Sequence, residues 1–280
     1  TTGGSNSTLG FGSGDALTTG HNNVAIGISA IGVSTNIGYA VAIGSEALGT
    51  GNATDASDSS VAIGNKALYA LVSGIGNVAV GGEALSAEDD GDFSTAIGHH
   101  ALKVQTGTSG TVANTAVGYK AGAGVVTGTY NTFIGANSGL VASGSAVDNN
   151  TGLGFASLKA LTSGSRNTSL GTYSTQQMVN ASDTVSIGYY TLANALTSTD
   201  IDGSVAIGSF SQAENKTGIG NTSVGFQSLK SDVNGDFNTA VGYQALKTQN
   251  GINGIVGNTA VGYHAATNIT TGYGNTVMGY

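Results

Sequence analysis

Four histidines, His21, His99, His100 and His264, are the imidazoles this chain offers for acid–base chemistry. A catalytic imidazole must reach the proton it moves, and His99 and His100, as neighbours on a strand, would face opposite ways. Surface positions suit them better than a shared site. Acidic side chains gather in three runs: Glu88-Asp89-Asp90-Gly91-Asp92, Asp200-Ile201-Asp202-Gly203 and Asp232-Val233-Asn234-Gly235-Asp236. Oxygen-rich turns of this kind can hold calcium, which makes Asp90, Asp92, Asp232 and Asp236 candidates, although no run keeps a twelve-residue loop ending on a bidentate Glu. Solvated turn carboxylates are the simpler account, and no cofactor is implied. The chain has no cysteine, so thiolate metal centres and disulfide frameworks are excluded.

Whatever these groups do, a repeat positions them. A five-residue pattern, Asn-Thr-Ala-Val-Gly with small variations, recurs sixteen times, its glycine running from Gly10, Gly27 and Gly44 to Gly242, Gly262 and Gly279 at gaps of 17 to 20 residues. A fixed period of this size means a solenoid, in which each unit is stable only when stacked on its neighbours. The residue before the glycine is aliphatic in every copy, as at Ile26, Ile43, Ile134 and Val261, and two residues earlier stands Val or Thr in every copy but one, which has Ser7. Between them the residue is usually Ala or Ser, with Phe133, Gly152 and Val277 as departures. That alternation has period two, so it predicts a strand with one apolar face and one flat face.

Three residues after the glycine comes a small residue and then, often, Leu, as at Ala47-Leu48, Ala67-Leu68 and Ala245-Leu246. This predicts a second short strand. The rest of each repeat is rich in Gly, Asn, Ser, Thr and Asp and reads as turn. The expected fold is therefore all-β: a parallel β-roll or β-solenoid of about sixteen two-stranded coils, stacked about 4.8 Å apart. The 17, 17, 20 rhythm of the gaps also fits three repeats making three faces of one turn, but the gaps of 17 and 19 between Gly118 and Gly154 would then shift every later repeat by a face. Stacked coils are indifferent to that shift. The Val or Thr and the aliphatic residue are expected to form the core, so Ile134→Asp should bury a charge. The Asn opening many copies, such as Asn114, Asn131, Asn238 and Asn258, should form a ladder from coil to coil.

Composition narrows the function. With 47 glycines, no proline and 9% charged residues the chain is far from an ordinary enzyme. Proline would remove a ladder donor, so its absence fits an uninterrupted stack. A net charge of −8, with only eight Lys and Arg, argues against nucleic acid as a partner. No apolar run of 18 residues is present, so no segment inserts in a membrane as a helix. The repeat occupies residues 1–280 as one fibre segment, expected to be cut at both ends from a longer fibre. A thin core beside a face of Gly, Ala and Ser invites several copies to pack around one axis, and a homotrimer is the natural closure for a fibre.

Asn238-Thr239-Ala240-Val241-Gly242-Tyr243-Gln244-Ala245-Leu246 and Ser60-Val61-Ala62-Ile63-Gly64-Asn65-Lys66-Ala67-Leu68 resemble the head repeats of trimeric autotransporter adhesins, the YadA-like head. The Asn-Thr-Ala-Val-Gly-Tyr form is similar also to repeats of phage tail fibres. The resemblance implies a trimer of left-handed parallel β-rolls, extracellular on a bacterial surface or a virion, that binds a host or cell-surface glycan or protein receptor. Coils of 17–20 residues are longer than those of the usual adhesin head. The aromatics that follow the repeat glycine, among them Tyr119, Phe155, Tyr189, Phe226, Tyr243 and Tyr263, are the candidate ligand-binding residues, because stacking sets them in one column that either meets sugars or is buried between chains. The longer turns 49–60, 103–114, 139–150, 194–204 and 247–258 are further candidates. Two other classes are open to test. The Thr column from Thr115 and Thr132 to Thr259 and Thr276 suits an ice-binding solenoid, although Val fills the same column in the N-terminal half and points to core. Ile43-Gly44-Ser45-Glu46-Ala47-Leu48 resembles the hexapeptide of β-helix acyltransferases, which carry three hexads per coil where this chain has one.

Overall fold

The computed structural model describes residues 3–51, 59–107, 110–141, 147–194, 201–250 and 254–280. The chain is an all-β parallel solenoid with no helix among the described residues. It divides into two compact units, Thr1–Ala146 and Val147–Tyr280. An offset of 144 residues carries the repeat glycines of the first unit onto those of the second, Gly10 onto Gly154, Gly64 onto Gly208 and Gly135 onto Gly279.

Each unit contributes eight three-residue parallel strands. In the first unit they run from Ser7–Leu9 and Val24–Ile26 to Thr115–Val117 and Thr132–Ile134. In the second they run from Thr151–Leu153 and Thr168–Leu170 to Thr259–Val261 and Thr276–Met278. Like pairs with like: Val24 with Val41, Ala25 with Ala42, Ile26 with Ile43. A gap of 20 residues leaves the register unchanged, since Ile43 still pairs with Ile63. Longer repeats therefore put their extra residues into turns, and every repeat adds one coil to the stack.

The segment after the glycine differs from the expected second strand. Glu46 and Leu48 have φ of 57° and 51°, as do their equivalents Lys66 (56°) and Leu68 (48°), so positive φ recurs at every other residue. The N–H of Glu46 donates to the Ile28 carbonyl of the coil before (2.8 Å) and that of Leu48 to Ala67 of the coil after (3.0 Å). The coils are thus bonded on this side too, without an extended strand. Left-handed Leu costs about 1–2 kcal/mol, and full burial of its side chain, at about 1.5–3 kcal/mol, offsets that. Leu48, Leu68, Leu85 and Leu102 are all buried.

Those leucines decide which strand face points inward, and the result reverses the expected core. The middle residue of the strand is buried, as at Ala42, Ala62, Ala96 and Ala116. Away from the two terminal strands its flanking Val or Thr and aliphatic residues are partly or fully exposed, with Ile26 and Ile134 each at 38%. Leu from the turn fills the narrow interior, leaving room opposite for little more than a methyl group. Phe133 demonstrates the volume limit. It is a fully buried middle residue, and its own coil and the one before have Gly139 and Gly122 where eight other coils have Leu. A Cβ added to Gly122 would stand 2.7 Å from Leu102 Cδ2 and 3.2 Å from Phe133 Cδ2. One large ring is matched by two missing side chains, as close packing requires.

The asparagine ladder forms as expected. Asn131 donates its backbone N–H (2.8 Å) and its Nδ2 (3.1 Å) to Asn114 Oδ1, and Asn167 does the same to Asn150 (3.0 and 2.9 Å). Ser94 continues the column by donating its N–H to Asn77 Oδ1 at 2.8 Å. Beside the ladder lies a buried carboxylate in each unit, Glu88 and Asp232, 144 residues apart. Glu88 accepts from the N–H groups of Gly91 (2.7 Å) and Gly107 (2.8 Å) and from Gln105 Nε2 (2.5 Å). Asp232, one methylene shorter, accepts from Gly235 N–H (3.0 Å) and Asn238 Nδ2 (2.8 Å). Gln249, the equivalent of Gln105, is left with a buried Nε2 that has no partner among the described residues. Asp232→Glu should let the carboxylate reach that amide and stabilise the protein by about 1 kcal/mol. A rise in Tm is the expected result, and an unchanged or lower Tm would contradict the comparison.

Candidate functional site

Two surfaces stand out, both produced by the repeat. The first is the outer face of the strands, where Val or Thr makes one column and Ile, Val or Leu a second. Equivalent side chains are stacked at every strand, since registered pairs such as Thr168 with Val185 and Leu170 with Ile187 are direct neighbours. This face contains no charged residue in any strand from Val24–Ile26 to Thr132–Ile134, nor from Thr151–Leu153 to Thr259–Val261.

The second is an aromatic ladder on the second unit. Rings follow one another from Phe155 to Tyr173 (5.3 Å between centroids), Tyr189 (6.4 Å), Phe210 (5.5 Å), Phe226 (6.4 Å), Tyr243 (5.3 Å), Tyr263 (5.3 Å) and Tyr280 (5.4 Å). Of the six sequence candidates, the structure brings Phe155, Tyr189, Phe226, Tyr243 and Tyr263 into this ladder, and places Tyr119 in the first unit against His99 at 5.9 Å. Tyr173, Tyr190 and Phe210 were missed. They follow the glycine by two residues, and the signal was the pair of coils with Thr172 and Ser209 at the first position. The ladder is open to solvent in the single chain, Phe226 at 39% and Tyr263 at 51%. Its geometry bears on the ligand. Phe226, Tyr243 and Tyr263 lie nearly parallel, with interplanar angles of 20° and 15°, so their faces are turned to each other and their edges outward. A sugar stacks on a ring face. At these three coils the ladder offers a rim for side-by-side packing rather than platforms for sugar rings, whereas the steps from Phe155 to Tyr173, Tyr189 to Phe210 and Phe210 to Phe226 are edge to face, at 83°, 82° and 86°.

The charged candidates have other partners. Asp90 Oδ1 accepts from Ser73 Oγ (2.6 Å), Asp92 from Ile75 N–H (2.9 Å) and Asp236 from Ile219 N–H (3.0 Å), each tying one coil to the next. Asp232 is the buried carboxylate described above. Among the described residues no group of three or more His, Cys, Asp or Glu is placed to hold a metal ion. The middles of all five long turns, 52–58, 108–109, 142–146, 195–200 and 251–253, lie outside the described residues.

His99 and His100 do not face opposite ways. They sit in the turn after Gly98, where His100 has φ of 61°, and their rings approach to 3.7 Å. Strand alternation does not apply there. His100 Nε2 lies 3.4 Å from Glu83, and Lys103 Nζ lies 2.5 Å from the same carboxylate. The hydrogen bond from Lys103 holds the Glu83 carboxyl below its ordinary range. Desolvation, and after it the charges of Lys103 and His99, lower the His100 pKa. At the surface of the second unit Arg166 and Asp183 pair through two bonds of 2.6 and 2.8 Å, which raises the guanidinium and lowers the carboxyl.

No helix is long and apolar enough to cross a membrane among the described residues. Comparison of the chain with protein-family models, with curated proteins and with solved structures returns no match.

Proposed function

We propose that this protein is a non-enzymatic fibre segment that assembles as a homotrimer through its outer strand face and serves cell-surface adhesion or receptor binding outside the cell. The observation that carries the proposal is the outward turn of the Val/Thr and aliphatic columns. Soluble monomers rarely leave a contiguous apolar patch larger than a few hundred Å² in water, and this face recurs strand after strand without a charge. A second copy of the same face, related by rotation about a common axis, covers the aliphatic column without stranding backbone groups, because these are already bonded within the sheet, and leaves only the Thr hydroxyls to find partners across the contact. The resemblance of the repeats to adhesin heads and to phage tail fibres supports the same assembly, with a virion fibre as the alternative setting. Light scattering should give three times the 27.4 kDa chain mass. A single-chain mass that persists at high concentration would refute the trimer.

The same observation favours a second reading. The Thr column, set aside in the sequence as core, stands outward at Thr151, Thr168, Thr222, Thr239 and Thr259 beside the aliphatic column. A flat, regularly spaced array of hydroxyl and methyl groups is what an ice-binding face requires. Thermal hysteresis from a single-chain species would support ice binding over the fibre.

A further inference from the structure

The scaffold repeats after 144 residues, but one cluster of Lys and His repeats only in part. Around the coils of Gly98 and Gly118 the first unit sets His99, His100, Lys103 and Lys120, while the equivalent residues of the second unit are Tyr243, Gln244, Lys247 and His264. Two of the chain's eight Lys and Arg and two of its four His therefore meet in one place. Stacking does not demand this, since the second unit builds the same coils with only Lys247 and His264 at the four positions.

His100, Lys103 and Lys120 line an open groove of about 420 Å³ whose other walls are Val104, Ala123, Gly124, Leu140 and Val141. Glu83 balances Lys103, but Lys120 forms no ion pair among the described residues; its Nζ lies 5.3 Å from the centroid of the Tyr119 ring. Two lysines thus stand beside a single carboxylate, which leaves Lys120 unbalanced, and His100, its pKa lowered by desolvation, adds an uncharged imidazole. Net charge is −8 over the chain, yet at physiological salt charges more than about 8 Å away are largely screened, so the local balance of Lys103 and Lys120 against Glu83 governs what binds here.

We propose that this groove binds an anionic saccharide, with Lys120, His100 and Lys103 receiving a sulfate or carboxylate group and the apolar wall of Val104, Ala123, Leu140 and Val141 receiving the C–H surface of the sugar ring. The volume is that of a small-molecule site rather than of a bare ion. The two ammonium groups give charge-assisted bonds to such oxygens, and the His100 imidazole gives an ordinary one. This rests on the receptor-binding reading above and names the receptor class.

The test is calorimetric titration of the intact protein with a heparin-derived tetrasaccharide, with neutral maltotetraose and with sodium sulfate. Saturable binding of the tetrasaccharide is expected, about tenfold or more tighter than either control. Lys120→Gln should weaken it by about tenfold or more and Lys247→Gln should leave it unchanged. The Lys120 side chain has only its contact with the Tyr119 ring to lose, and no ion pair among the described residues, so the circular dichroism of the variant should match the parent. Absence of saturable binding, equal binding by Lys120→Gln, or inorganic sulfate binding as tightly as the tetrasaccharide would each overturn the proposal. Solution mass is measured separately, so a trimer that ignores the saccharide refutes the groove alone, and a monomer that binds it refutes the trimer alone.

Discussion

Replacing Gly81 by alanine should lower the unfolding free energy by about 3 kcal/mol or more, the sum of a backbone strain of about 1–3 kcal/mol and an overpacking cost of similar size. The residue sits at φ of 135°, a conformation that L side chains rarely adopt. A Cβ there would stand 2.6 Å from the carbonyl carbon and oxygen of Gly98 in the next coil and 3.0 Å from the His99 nitrogen. These are backbone atoms, held by the Gly98 N–H to Val80 carbonyl bond of 2.7 Å, so they cannot swing aside as a side chain would. The column propagates the problem, because Gly64, Gly81 and Gly98 have φ within two degrees of one another, at 134°, 135° and 133°. Gly203 is the control. It also has positive φ (67°), but nothing lies within 4 Å of its added Cβ, so Gly203→Ala should cost only about 1 kcal/mol. Urea denaturation of the two variants measures the contrast, and equal midpoints would show that close coil approach is not what the glycine column provides.

The features that depend only on period were legible in the residues. Stacking, register, the glycine column and the asparagine ladder follow from like residues meeting like residues once the repeat is aligned, and the structure has all of them. The identity of the buried face was not legible from the strand. Alternation of Val, Ala, Ile shows that two faces exist, and hydrophobicity then favours burying Val and Ile. What reverses the choice lies elsewhere in the coil: Leu48 and its equivalents, four residues past the glycine, already occupy the interior. Phe133, Gly122 and Gly139 did carry that information, as three departures from the repeat that make sense only if the middle residue and the Leu position share one volume. The aromatic ladder was half legible for a similar reason. A column drawn at one position after the glycine omits Tyr173 and Phe210, whose rings enter the ladder from the next position because the turn alternates its φ. That same alternation brings His99 and His100 together, which a strand would have kept apart.

Adjacent residues on one strand separate the two faces most sharply. Ala62 is fully buried, in register with Ala42 and Ala79, whereas Ile63 lies on the outer face in register with Ile43 and Val80. Ala62→Asp should destabilise the chain by several kcal/mol, because the carboxylate would enter a lumen of methyl groups with no cation to meet it. Ile63→Asp should leave the fold of the single chain intact, since water reaches that face. Its effect falls on assembly. A rotation axis brings three copies of the same column together, so one substitution places three carboxylates in an apolar contact, where each loses hydration and repels the others. The expected result is a parent-like circular dichroism spectrum with the solution mass reduced from three chains to one. Ile134→Asp should behave in the same way, against the sequence-based expectation that it buries a charge in the core. Were Ile63→Asp to unfold the protein while Ala62→Asp did not, the outer face would be the core and no apolar surface would remain to hold copies together. Were Ile63→Asp to remain trimeric, the contact would have to lie elsewhere, and the aromatic rim from Phe155 to Tyr280 would be the next surface to charge.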